Sequence, residues 1–242
     1  GQQETIDWLP AGEGGAGASE MVVSETITCD EGYTLDEETL TCVRDDQIIN
    51  NLTGKALCVY ERLWRTALDE HNLIRETIIL FGDDNINNSN LTYQQAPNLT
   101  NDDGVSLYAS MEKITENNYL ITLNESLLSE RSPIEIARTI LHESVHAKLK
   151  SHFDNGSESF GDIFKEYLQE KIGSNELSHA IMRDHYVYLI ANGLKQFDNN
   201  EEDFDFYESL AWEGLHQFLS NAEKDKIIEA QEKARNKEIN CN

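Results

Sequence analysis

Basic residues are scarce in this chain: 19 lysines and arginines stand against 45 aspartates and glutamates in 242 residues, a formal charge of -26. Such a surface repels a phosphate backbone or an anionic membrane over most of its extent, which argues against nucleic acid as a partner. Solubility is the ordinary reading of that acidity, with attraction of cationic substrates or Ca²⁺ as the sharper one. Long apolar runs are missing too. Nowhere do about 18 apolar residues follow one another, so no transmembrane segment is expected. There is no signal peptide, and the opening Gly-Gln-Gln-Glu before the Gly-rich Ala11 to Ala18 reads as a mature start or a scar after a removed leader. That origin leaves room for a lipid anchor upstream of the given chain. EF-hand spacing is absent from acidic runs such as Glu201 to Asp205, which therefore read as a solvated acidic face.

The four cysteines, at 29, 42, 58 and 241, permit two disulfides in three connectivities. Cys29 and Cys42 are the favoured pair, because they bracket a turn-forming stretch that a crosslink holds together without a core. An oxidising compartment follows if they are bonded. The alternatives are four reduced thiols, or a Cys58 that is simply a small buried hydrophobe on a helix.

Composition shifts divide the chain into a flexible spacer over 1–24, a small Cys-bounded module over 25–45, and a main domain over 46–242. Between Asn51 and Phe81, apolar Leu57, Val59, Leu63, Leu73, Ile78 and Leu80 among charges indicate one or two helices. Gly82 to Asp103, rich in Asn, Asp, Thr and Pro, reads as a long loop with room for a short strand. Val105 to Tyr108 and Tyr119 to Leu123 are short apolar stretches, the second β-rich enough for a strand. Helices are expected near 133–151, 158–171, 175–197 and 204–236. The fold class is α+β, a short sheet before a mainly helical half.

Residues 142–146 spell His-Glu-Ser-Val-His, a spacing that sets two imidazoles one turn apart on one helix face, where both can reach one ion. A helix is well specified here. Ser132 serves as N-cap, Pro133 occupies the first helical position and Glu135 completes a capping box. Ile134, Ala137, Leu141, Val145 and Leu149 recur at helical steps as a core stripe, with the histidines beside it.

Catalytic zinc takes three protein ligands and keeps a position open, so a third ligand is sought downstream. His179, Asp184, His185, Glu208, Glu213 and His216 are the candidates. On a helical wheel His179 shares the apolar face with Met182, Tyr186, Ile190 and Phe197, whereas His185 falls on a polar face, and His179 is preferred. Zn²⁺ would acidify water and polarise a carbonyl, while Glu143, not a ligand, would move the proton to the leaving amine. Tyr186 is a candidate for oxyanion stabilisation, although an aromatic at a helical position is usually core. The Tyr119 to Leu123 strand, as a rim of the cleft, offers strand addition to an extended peptide.

With these residues in place the chain resembles the zincin metallopeptidases of HExxH type, and among them the SprT-like proteins and their secreted relatives in Bacteroidetes. Thr139 to Ala147, His179-Ala-Ile-Met into Tyr186, Leu194 to Asp198, Leu210 to Leu215 and Cys58 to Leu63 carry the resemblance, over roughly residues 55–217. It implies a small zincin-like fold, zinc, a peptide or protein substrate and His179 as the third ligand. Relatives that act on proteins at DNA are basic or carry a zinc ribbon; this chain is acidic and has no paired CxxC, so that role does not carry over. The Cys29 to Cys42 stretch resembles modules of secreted proteins, which implies a secreted, periplasmic or cell-surface location. Competing readings are a zinc hydrolase of another amide, and a non-catalytic surface binding protein on a zincin-like frame.

Overall fold

A computed structural model describes residues 33–36, 41–44, 48–66, 74, 77, 81, 89–115, 117–152, 160–173, 183–212 and 219–241. The chain forms two compact units, Gly1–Asp46 and Gln47–Asn242. In the first, strands β1 (Tyr33–Asp36) and β2 (Thr41–Arg44) pair antiparallel, with Leu35 opposite Cys42. The Cys-bounded stretch therefore holds a hairpin. Cys29, and with it the expected Cys29–Cys42 pairing, lies outside the described residues.

The second unit is α+β, as its pattern predicts. Its sheet has the order β3 (Ile48–Asn50), β4 (Asn90–Ala96), β6 (Asn118–Asn124), β5 (Ala109–Thr115). The first three run parallel and β5 runs antiparallel to β6. The register places Leu91 beside Tyr119, Tyr93 beside Ile121, and Ile121 and Leu123 beside Met111 and Ala109. Side chains alternate across a strand, so these residues share one face, and that face is the core.

Helix α1 (Gly54–Thr66) buries Ala56, Val59, Tyr60 and Leu63 at helical spacing. Leu57 is only half-buried, and Leu73, Ile78 and Leu80 lie outside the described residues. After the short α2 (Glu125–Leu128) comes α3 (Pro133–His152). Its start follows the expected chemistry: the Glu135 carboxylate accepts from Ser132 N at 2.8 Å and from Ser132 Oγ at 3.1 Å. The expected stripe is buried, but so are Ile136, Ile140, Ser144 and Ala147, so α3 is enclosed on more than one face. A helix surrounded in this way is held rigidly, which suits it to carry chemistry.

Helix α4 (Phe160–Ile172) follows, and then a single π-helical turn, Arg183–Val187, leads into α5 (Tyr188–Phe197). Gly193 of α5 lies close against α3, since a Cβ there would sit 2.9 Å from Leu141 Cδ1. The single helix expected over 204–236 is instead two, α6 (Phe204–Ala211) and α7 (Asn221–Arg235). A full capping box between Ser220 and Glu223 starts the second of them. The acidic run before α6 is partly neutralised: Lys237 Nζ lies 3.2 Å from carboxylate oxygens of both Glu201 and Glu202 and 3.1 Å from buried Asp198.

Cys58 is neither free nor a simple core residue. It is bonded to Cys241, 183 positions away, joining α1 to the segment after α7. Among the described residues no helix is long and apolar enough to cross a membrane.

Candidate active site

His142 and His146 stand one turn apart on α3, with ring centroids 4.6 Å apart and ring planes tilted by 40°. Burial lowers the His142 pKa to about 4, with Arg138 adding to the effect, and lowers that of His146 to about 3, with His142 adding to it. Both imidazoles are therefore neutral near pH 7, the form that offers a lone pair to a metal. Glu143 between them is 8% exposed, and burial raises its pKa to about 7. A carboxyl poised there exchanges protons readily at neutral pH.

The tyrosine offered as a candidate for oxyanion stabilisation, or else as a core aromatic, is buried against the first histidine. Tyr186, wholly buried in the π-helical turn, places its hydroxyl in hydrogen-bonding contact with Nδ1 of His142. The two rings meet edge to face, 5.9 Å between centroids. A partner on Nδ1 sets which ring nitrogen is left for a ligand, here Nε2. The Tyr186 hydroxyl is thus placed against the His142 ring.

Further supports enter from the sheet. Tyr93 Oη of β4 lies 2.9 Å from Ser144 Oγ, and Ser144 Oγ donates to the Ile140 carbonyl at 2.7 Å. Tyr93 and Ser144 are both wholly buried, and Ser144 follows Glu143 on α3. Asn124, at the end of β6, donates from Nδ2 to the carbonyls of Leu99 and Leu107 at 3.1 and 2.8 Å. That clamp fixes the segment before β5.

A cleft of about 360 Å³ runs along these groups, with Leu107, Tyr108 and Ala109 on one side, Arg138, Thr139, His142 and Glu143 on α3, and Ile190 and Ala211 beyond. The expected rim strand is therefore wrong. Tyr119 to Leu123 lies inside β6, hydrogen-bonded to β4 on one side and β5 on the other, so its backbone has nothing left to offer a peptide. Of the two edge strands, β3 and β5, it is β5 that packs beside α3 and the cleft. Asn124 N donates to the Tyr108 carbonyl at 2.9 Å, and in an antiparallel ladder this sets Tyr108, Ser110 and Glu112 inward. The N–H and C=O groups of Ala109 and Met111 then face out from the edge.

Among the described residues no group of three or more His, Cys, Asp or Glu side chains forms a metal site. Asp184 and His185 stand in the π-helical turn, and Glu208 of α6 is held by Arg183, with Nη2 to Oε2 at 3.1 Å. None of the three joins the histidine pair. His179, Glu213 and His216 lie outside the described residues. The donors present fit zinc in type: two neutral imidazoles, one turn apart, with a hydrogen-bond partner behind the first.

Sequence reasoning missed Tyr93, Ser144, Asn124, Tyr108 and Arg138. Only for Arg138 was a signal present, its place one turn before His142 on the same helix. No curated protein and no solved structure matches the chain. The model of the SprT-like family, a zincin-like metallopeptidase-type family, matches residues 74–184, a stretch that runs from before β4 through the His142 to His146 motif and into the π-helical turn.

Proposed function

We propose that the chain is a zinc-dependent metallopeptidase in which His142, His146 and His179 hold the metal and Glu143 is the general base. The observation that carries this reading is the buried Glu143 between two neutral imidazoles on the wall of the cleft. The SprT-like match supports it. When bound, zinc supplies Lewis-acid polarisation of the scissile carbonyl and makes water a better acid. Glu143 takes the proton of the attacking water and passes it to the leaving amine, for which a pKa near neutrality suits it. Tyr186 keeps His142 in one tautomer and one orientation. The outward backbone of Ala109 and Met111 gives an extended peptide a strand to pair with, which lays it along α3. The disulfide between Cys58 and Cys241 supports a place outside the reducing cytoplasm, secreted, periplasmic or at the cell surface.

Elemental analysis of protein purified without a metal-affinity step tests the metal. About one zinc per chain is expected in the wild type, with loss or marked weakening in both His142→Ala and His179→Ala. Zinc retained in His179→Ala would move the third ligand to Glu213 or His216. No zinc in the wild type, even after it is added back, would leave a non-catalytic binding protein.

Tyr186→Phe is expected to weaken zinc binding by roughly 10- to 100-fold while the fold persists, because the variant removes only the hydroxyl that orients His142. Competition against a zinc-sensitive dye measures it. An unchanged affinity would make Tyr186 a core residue and nothing more.

A further inference from the structure

One cavity beside the cleft has the opposite charge to the rest of the molecule. It measures about 420 Å³, and Arg131, Arg138 and Arg235 line it together with Tyr108, Glu130 and Glu135. Tyr108 and Arg138 line the cleft as well, so the two spaces share a wall next to His142 and Glu143. In a chain of charge -26 with only eight arginines, three gather here.

Arg131 is the telling residue. It is 8% exposed. Its guanidinium lies over the Tyr108 ring, 4.2 Å from the centroid, and Nη1 donates to Thr139 Oγ1 at 2.7 Å. Among the described residues no carboxylate comes within ion-pair distance of it. Glu135, the acid on the same wall, has Oε2 occupied by Ser132 N and Oγ. A guanidinium carries five donors in a planar fork shaped for a carboxylate; the nearby Glu135 charge offsets part of the cost of burying Arg131 but makes no ion pair with it.

We propose that this recess is a carboxylate-binding subsite, which takes an acidic group of the peptide lying in the cleft. Arg138 precedes His142 by one helical turn, roughly 6 Å along the axis, and an extended peptide advances about 3.3 Å per residue. The acidic group therefore sits within about two residues of the bond to be cut. This rests on the peptidase reading for the class of substrate, but the subsite itself rests on Arg131 and the cavity. The carboxylate comes either from an aspartate or glutamate side chain or from the peptide's own C-terminus.

The test is fluorescence anisotropy on the full, zinc-loaded chain carrying Glu143→Gln, with labelled peptides that differ by Glu or Gln at successive positions, each as free acid and as amide. At one position, or at the C-terminus, the carboxylate form should bind about tenfold tighter than its neutral twin. Adding Arg131→Met should bring that ratio to about twofold or less. Preference for Glu over Gln identifies a side chain; preference for acid over amide identifies the terminal carboxylate. No preference at any position, or one that survives both Arg131→Met and Arg138→Met, overturns the proposal. Melting temperature gives a second reading, since replacing an under-paired buried cation with an apolar side chain should leave it unchanged or raise it. A fall of more than roughly 5 °C in Arg131→Met would make Arg131 a structural cation and overturn the subsite. Cleavage by the wild type without any acid preference removes the subsite and keeps the peptidase. Acid-dependent binding with no cleavage of any peptide keeps the subsite and removes the peptidase.

Discussion

Glu143→Gln is expected to lower peptide hydrolysis by a factor of about 10³ and to leave zinc content unchanged. The substitution preserves the size and planarity of the side chain and takes away only its capacity to carry a proton. Glu143 is 8% exposed, on a helix whose neighbouring Ser144 and Ile140 are wholly buried, so other side chains have little room to substitute for it. Because burial already disfavours its charged form, the neutral amide should not destabilise the fold. Initial rates on a peptide pool, together with elemental analysis of the same preparation, measure both quantities. Loss of zinc along with activity would make Glu143 a ligand. Activity within tenfold of the wild type would remove it from proton transfer altogether.

Reducing the Cys58–Cys241 bond, or replacing both cysteines with alanine, should cost roughly 5 kcal/mol at most, the largest stability effect expected of a local change here. The bond closes a loop of 183 positions, and the chain-entropy penalty it spares grows with the logarithm of that length. Both residues pack against the core, with Cys241 almost wholly buried. Urea unfolding of Cys58→Ala/Cys241→Ala against wild type, in the absence of reductant, gives the number. A difference below about 1 kcal/mol would mean that the C-terminal segment stays in place by packing alone.

The readable parts of the fold were those written locally. Pro133, Ser132 and Glu135 specify where α3 begins whatever surrounds it, and β6 announces itself by Tyr119, Ile121 and Leu123 on alternate positions. β5 does not, because Ala-Ser-Met-Glu-Lys-Ile-Thr has one half-buried face and becomes a strand by pairing with β6. The break between α6 and α7 was visible in Ser220 and Glu223, but the helical periodicity on either side concealed it. The wheel that placed Tyr186 beside Ile190 and Phe197 correctly foresaw burial for all three. It gave no warning of the π-helical turn at Arg183–Val187, since a wheel assumes 3.6 residues per turn throughout. In the site, the His142 and His146 pair and Glu143 were legible from spacing. The burial of Arg131 without an ion pair was not, because Arg-Ser-Pro before a helix reads as an exposed corner until the fold closes over it.

The bond from Cys58 to Cys241 also changes what a cut in the chain means. Everything between those two residues, the sheet edge, α3 and the helices behind it included, belongs to one covalent ring. A single nick anywhere in that ring opens it without releasing a fragment, and the two new ends stay tethered while the bond is intact. On the proposed peptidase reading, one accidental self-cleavage between copies is then a wound and not a dissociation.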